Sequence, residues 1–283
     1  MANNIPDYLN TKFDYGPEFV ATYDEVPLWS AAFGMLLFAH LPIKPNMKVV
    51  DIGCGTGFPT LELAQRLGDT CYVYGVDPWA PAIARGREKQ KNFRITNVEF
   101  IESDAAQTKL PESSIDLIIS NLGLNNFENK IAVLSECYRI LKPCGKLVLT
   151  TNLQGHWHEF YTLFKSTLVE LGKSDLVDTL DTHIRHRTSL ATLIPFLQTY
   201  GFNIVCIHED KFKMRFLTGS AFLRHSFIRC GFLENWMKVI PERELTPVFL
   251  KLEQNLNQLA IQHGELRLTV PMAYIESEKK DTQ

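Results

Sequence analysis

Residues 48–65, KVVDIGCGTGFPTLELAQ, constrain the chain most tightly: an apolar run, a glycine-rich turn and an amphipathic stretch follow one another without a gap. Residues 48–52 are β-branched and apolar, as a buried parallel strand should be. The run stops at Asp51-Ile52-Gly53-Cys54-Gly55-Thr56-Gly57, where the glycines permit positive φ, tight turning and close approach of the backbone to a ligand. Pro59 suits a first helical turn, where its missing N–H costs nothing. Leu61, Leu63, Ala64 and Leu67 then line one face before Gly68 ends the run. Such an order is suited to a nucleoside-bearing ligand. A dinucleotide fingerprint would need a third glycine where Phe58 stands, and the acid Asp51 at the head of the turn favours a cationic moiety over a diphosphate.

Four further segments extend the pattern. Residues 71–76 (CYVYGV) read as a second strand with Asp77 at its end, twenty residues after Gly57, where a carboxylate can accept from two ribose hydroxyls. Residues 98–102 read as a third strand, followed by Ser103-Asp104-Ala105-Ala106. Residues 115–120 (IDLIIS) read as a fourth, leading into Asn121-Leu122-Gly123-Leu124-Asn125-Asn126. A helix over about 130–141 and the turn Pro143-Cys144-Gly145 then feed a fifth strand.

With its D-x-G-x-G-x-G turn and the Leu141-Lys142-Pro143-x-Gly145 signature, the chain resembles the class I S-adenosylmethionine-dependent methyltransferases, in their small-molecule, type 11-like group, over residues 45–151. The resemblance implies an α/β, doubly wound, Rossmann-like sheet of seven strands, mostly parallel with an antiparallel last strand, and S-adenosylmethionine as cofactor. It implies that Asp51, Gly53, Gly55 and Gly57 hold the methionine portion, with Cys54 in the same turn. Asp77, with Pro78 beside it, would take the ribose, Asp104 and Ala105 the adenine, and Asn121 would lie near the sulfonium. Asp51 keeps two readings, direct ligand contact or a local brace for the turn. Cys54 reads as a small filler rather than a nucleophile.

A formal net charge of −3 and a pI near 6.3 argue against a nucleic-acid footprint, which needs a clustered basic surface. Arg185-His186-Arg187 is only a short basic patch. Six scattered cysteines without C-x-x-C suggest reduced thiols and a cytoplasmic setting. No signal peptide is read at the start, and the apolar run 31–41 is too short to span a bilayer. That run reads as a helix before the first strand, capped by Ser30 or entered already at Leu28 and ended by Pro42.

The chain divides into an N-terminal arm and lid helix (1–44), a cofactor-binding core (45–151) and a C-terminal part (152–283) with a helical substrate cap over about 211–265. In Tyr23-Asp24-Glu25-Val26-Pro27-Leu28-Trp29, Tyr23 and Trp29 either touch ligand as part of a lid or pin the arm to the core. Asn125 and Trp157 join them as substrate or lid candidates. Residues 189–200 read as a helix, 202–209 as strand six with 211–216 extending or re-forming it, 218–264 as mainly helical, and 266–276 as the last strand. His156, His158 and Tyr161 are candidate acid–base or substrate-orienting residues. Neither His156 and His158 nor His183 and His186 read as a metal site, since H-x-H on a helix points its imidazoles apart and no C-x-x-C or H-E-x-x-H completes a set.

The expected function is methyl transfer to a small-molecule acceptor, free or carrier-bound: a metabolite, a quinone or lipid precursor, or a carrier-bound acid. The alternatives are a non-methylating use of the same fold, a non-catalytic assembly or binding factor, and a nicotinamide enzyme, the last disfavoured by Phe58. Acceptor, methylated atom and oligomeric state are not legible in the sequence.

Overall fold

The computed structural model describes residues 5–10, 14–24, 28–185 and 187–280. Seven strands, β1 (Lys48–Ile52), β2 (Tyr72–Asp77), β3 (Val98–Glu102), β4 (Ile115–Asn121), β5 (Leu141–Asn152), β6 (Phe202–Phe216) and β7 (Leu266–Lys279), form one sheet in the order β3-β2-β1-β4-β5-β7-β6. The pairs β1–β2, β1–β4, β2–β3 and β4–β5 are parallel, and β5–β7 is antiparallel. This is the seven-strand α/β sheet with an antiparallel β7 that the motifs imply. The chain leaves β1 in one direction for β2 and β3, then returns to β1's other side for β4 and β5. That reversal opens a crevice at the carboxyl ends of β1 and β4, the place where open α/β sheets bind ligands.

The chain divides into two compact units. One comprises Tyr15–Asn152, Ser189–Asp210 and Met272–Gln283. In it the helix Thr60–Leu67 packs on β2 and β3, Ala80–Phe93 on the same strands, Leu28–His40 on β4 and β5, and Lys130–Ile140 on β5. The helix Pro17–Asp24 packs on Ala80–Phe93. Ser189 caps the helix Leu190–Thr199 through a reciprocal pair with Thr192. The join between Lys130–Ile140 and β5 differs from expectation: the strand begins at Leu141, which pairs with Ile115, before Lys146 resumes the ladder opposite Leu117. Residues 142–145 bulge between those two pairings. Gly145 is required there, since a Cβ would lie 2.8 Å from the Lys142 carbonyl oxygen.

The other unit comprises Met1–Asp14, Leu153–Thr188 and Lys211–Pro271, and so draws on more of the chain than residues 211–265. Its helices are His158–Glu170, Asp175–Arg185, Gly219–Arg224, a helical run over 226–237 with a π-type turn at Arg229–Leu233, and Glu242–His263. Asp175–Arg185, with Leu176, Val177, Leu180 and Ile184 at helical spacing, is a helix that adds to the expected elements, and it fully buries only Leu180. The core is aromatic. Trp157, Phe160, Phe164, Phe222, Trp236 and Phe249 are fully buried, with edge-on and tilted ring contacts such as Phe160–Trp236 at 4.4 Å. The Tyr8 hydroxyl donates to Glu253, tying residues 5–10 into this unit.

Gly219–Arg224 meets the long helix Glu242–His263 at a point with no room for a side chain: a Cβ on Gly219 would lie 2.9 Å from the Leu256 carbonyl carbon and 3.0 Å from the Asn257 nitrogen. Gly219→Ala should therefore force the two helices apart and lower stability by about 2–3 kcal/mol. A urea midpoint within error of the parent's would show that the contact yields freely.

Candidate active site

The glycine turn after β1 is built from backbone bonds. Gly53 and Cys54 both donate to the Val76 carbonyl of β2, at 2.8 and 3.2 Å, and Gly57 donates to Cys54 O at 2.9 Å. Gly53, Gly55 and Gly57 have φ of 79°, 50° and 101°, so all three use the left-handed region that glycine enters without strain. Their surroundings differ. A Cβ on Gly53 would lie 3.2 Å from the Gly123 Cα, and one on Gly57 would meet Leu61 and Phe100 at 3.1 Å, whereas one on Gly55 would meet nothing within 4 Å. Gly55 therefore faces open space, and its two neighbours close the turn against the fold.

Two acids flank this turn. Asp77, at the end of β2, accepts from Gly55 N at 2.9 Å through one carboxylate oxygen and from Trp79 N at 2.9 Å through the other. Each oxygen keeps a lone pair for a further donor. Burial raises the Asp77 pKa, against the pull of these two N–H groups. Asp51 has no exposed surface. Its Oδ2 accepts the Thr60 hydroxyl at 2.6 Å, and its Oδ1 is a buried oxygen without a hydrogen bond. Burial pushes its pKa up to about 7, the nearby Asp77 charge adding to the rise while the Thr60 hydroxyl opposes it. Asp51 thus braces Thr60 through one oxygen and keeps the other as an unused acceptor. Cys54 is buried beside both acids; burial first, then Asp51 and Asp77, lifts its pKa well above normal, which keeps the thiol neutral and inert.

The loops after β3 and β4 complete the crevice. Ser103 N donates to the Asp77 carbonyl at 3.2 Å, so the loops after β2 and β3 adjoin. Asp104 is exposed and accepts from Ala106 N at 2.8 Å, and Ala105 is buried beside it. Pro78 is exposed next to Asp77. Asn121 is buried with both ends of its amide used: it donates to Ser30 O at 3.1 Å and accepts the Thr150 hydroxyl at 2.6 Å. Its role is to join the helix Leu28–His40 to β4 and β5. Asn125 is similarly engaged, donating to Asn152 at 2.8 Å and accepting from Thr151 at 2.7 Å.

Tyr23, on Pro17–Asp24, is partly exposed, with its ring 6.0 Å from those of Phe19 and Trp79. Trp29 lies 5.2 Å from Phe33. Residues 25–27 of the expected lid segment and His186 of the basic patch lie outside the described residues. Sequence reasoning missed Thr60, Trp79, Gly123 and Thr150. Thr60 and Gly123 sat inside quoted motifs, but their reasons, the hydroxyl given to Asp51 and the close approach to the turn after β1, depend on tertiary geometry.

In the second unit the three acid–base candidates separate. His156 is not on a helix, contrary to the H-x-H reading: it precedes the helix His158–Glu170 in a turn where Trp157 has φ of 50°. It is buried, stacked on Trp157 at 4.2 Å, and held neutral by burial and by the charge of Arg187, both of which lower its pKa well below normal. His158 is exposed, 3.5 Å from Glu159. Tyr161 is buried; its oxygen accepts the Trp236 indole N–H at 3.1 Å and lies 3.5 Å from His183 Nε2. Burial raises its pKa, while Trp236 and Arg187 pull the other way. Trp157 lies in the aromatic core of this unit, its ring 4.5 Å from that of Phe232.

A family model described as a methyltransferase domain matches residues 43–183. A demethylmenaquinone methyltransferase of Geobacillus sp. (strain WCH70) is 30% identical over 138 residues, which is 47% of this chain and 59% of that protein. The chain thus spans less than two thirds of the length of such relatives. Among solved structures, the YcgJ protein of Bacillus subtilis aligns over 89% of this chain and 99% of that one, with a TM-score of 0.56 at 14% identity. A Haemonchus contortus phosphoethanolamine N-methyltransferase 2, solved in complex with S-adenosyl-L-methionine, aligns over 89% of this chain and 52% of that one, with a TM-score of 0.53 at 18% identity. The fold and the turn define an α/β nucleoside-cofactor protein of the methyltransferase type. The chain belongs to the class I S-adenosylmethionine-dependent methyltransferases. Among the described residues no helix is long and apolar enough to cross a membrane.

The raised pKa of Asp51 makes a signed prediction. The unfolded carboxyl titrates near 3.8 and the folded one at about 7, so between these values the folded chain holds the extra proton. Stability falls as pH rises through this window and levels off above it. Urea midpoints of the ligand-free protein at pH 4.5, 6, 7 and 8 should show this slope, and Asp51→Asn should remove its Asp51 component. Parallel profiles for parent and variant would place the Asp51 proton elsewhere.

Proposed function

We propose that this chain transfers a methyl group from S-adenosylmethionine to a small-molecule acceptor. The observation that carries the reading is the crevice at the ends of β1 and β2: open space at Gly55, and beside it Asp77 with a lone pair on each oxygen. The unbonded, buried Oδ1 of Asp51 fits the same reading, since an acid beneath the turn favours a cationic ligand above it. When bound, the cofactor supplies an electrophilic methyl group on a sulfonium.

The residues of the chain bind and orient. Asp77 accepts from the ribose hydroxyls while Gly55 N and Trp79 N fix its rotamer. The exposed Asp104 accepts from the adenine amine, and the buried Ala105 offers an apolar surface beside it. Gly53, Gly55 and Gly57 let the methionine portion approach the backbone, with Cys54 as neutral filler. Asn121 holds the backbone at the end of β4, near the sulfonium. Methyl transfer is an in-line displacement in which proximity and alignment supply much of the rate, so a dedicated base is not required for an acidic acceptor. Tyr23, Trp29 and Asn125 are the residues to vary for acceptor selectivity. Relatives named for demethylmenaquinone support an acceptor of small-molecule kind, free or carrier-bound. Six free cysteines support a reducing compartment such as the cytoplasm.

Calorimetric titration with S-adenosylmethionine, S-adenosylhomocysteine and NADH tests the cofactor. The first two should bind and NADH should not. Asp77→Ala, which removes two charge-assisted hydrogen bonds, should weaken binding at least about a hundredfold. Binding of NADH instead, or undiminished affinity in the variant, overturns the assignment. Turnover with an acceptor must also accumulate S-adenosylhomocysteine, which a non-methylating use of the fold would not.

A further inference from the structure

Trp79 stands two residues after Asp77 and connects it to the N-terminal helix Pro17–Asp24. Its backbone N–H donates to Asp77 Oδ1 at 2.9 Å, and its indole N–H donates to Tyr15 O at 3.2 Å. Its ring lies 6.3 Å from Phe19 and 6.0 Å from Tyr23. Tyr15 and Tyr23 keep 50% and 42% of their surface exposed beside the acid assigned to the ribose. The helix has only eight residues, too few to persist without tertiary contacts.

At the other end of that helix, Asp24 supplies the anchor. Its side chain is 11% exposed and accepts from Arg85 Nε at 3.0 Å and from Lys89 Nζ at 2.6 Å, both on the helix Ala80–Phe93 that follows Trp79. One carboxylate thus ties together two elements, the N-terminal helix and the helix after β2. An exposed ion pair would contribute little. Here two cations converge on one mostly buried carboxylate, and losing its charge would leave Lys89, itself 18% exposed, without that partner.

We propose that Asp24 is a positioning residue for the cofactor: by clamping the helix Pro17–Asp24 to Arg85 and Lys89, it seats Phe19 and Tyr23 against Trp79 and so holds the Asp77 loop in its binding conformation. The proposal rests on the cofactor reading above. Cofactor binding and docking of this helix are then thermodynamically coupled, each strengthening the other.

Three proteins decide it: parent, Asp24→Asn, which keeps the shape and removes the charge, and Lys89→Met, which removes one partner far from the nucleoside. S-adenosylhomocysteine should bind Asp24→Asn about tenfold and Lys89→Met about threefold more weakly than the parent. In the parent, S-adenosylhomocysteine should slow amide hydrogen exchange over residues 17–24, and in Asp24→Asn it should not. A defect confined to positioning raises KM for S-adenosylmethionine and leaves kcat at saturation within about twofold. If the parent binds S-adenosylhomocysteine but both variants match it within twofold, or if exchange over 17–24 ignores the ligand, the clamp is overturned. If Asp24→Asn fails to fold, the affinity of Lys89→Met decides. Failure of the parent itself to bind S-adenosylhomocysteine defeats the cofactor assignment, and this proposal with it.

Discussion

The close approach of two backbones at the point where the sheet reverses direction is the constraint on which the rest of the site depends. The turn after β1 passes the turn after β4 so tightly that a Cβ on Gly53 would sit 3.2 Å from the Gly123 Cα, and one on Gly123 would sit 2.8 Å from the Ile52 carbonyl oxygen. Neither residue can carry a side chain and keep that separation. With the two turns pressed together, the β1 turn is directed toward β2, where Val76 O collects two of its N–H groups and Asp77 collects a third from Gly55. The ribose acid is therefore positioned by the backbone of the turn whose ligand it would share.

The electrostatics follow from that packing. Two carboxylates near one turn, one fully buried and one partly, raise each other's cost of ionisation, and no lysine or arginine is hydrogen-bonded to either among the described residues. Nature usually relieves such pairs with a counter-ion or a shared proton. The chain uses one serviceable donor at Asp51, the Thr60 hydroxyl, and leaves the second oxygen bare. A cation arriving above the turn would relieve a cost already present in the ligand-free protein.

Much of this was legible in the sequence because it is local. A strand ending in alternate glycines, an acid closing the next strand and a proline-glycine turn before the fifth are written in consecutive residues, while the doubly wound sheet and the antiparallel β7 are what the family resemblance implies. What was hidden depends on partners far apart in the chain. Nothing near residue 121 shows that its amide would bridge Ser30 and Thr150, and nothing near Asp51 shows that its second oxygen would go unbonded. His156 was misplaced on a helix because a turn residue in an αL conformation, Trp157, leaves no periodic signature. Trp157, a substrate or lid candidate in the sequence, is fully buried in an aromatic core whose members Phe232 and Trp236 lie far along the chain.

The placement of β7 carries a consequence for how the sheet is assembled. It lies between β5 and β6, both of which precede it in the chain, so β5 presents an unpaired edge until a strand more than a hundred residues further on has been made. The sheet is therefore closed by insertion rather than by extension, and its outer strand, β6, has no neighbour in the sheet until β7 arrives. Such non-local closure slows folding and leaves an apolar edge open to mispairing meanwhile. Variants that weaken the docking of β7, though far from any ligand, would be felt first as lost yield of folded protein, before any change in chemistry.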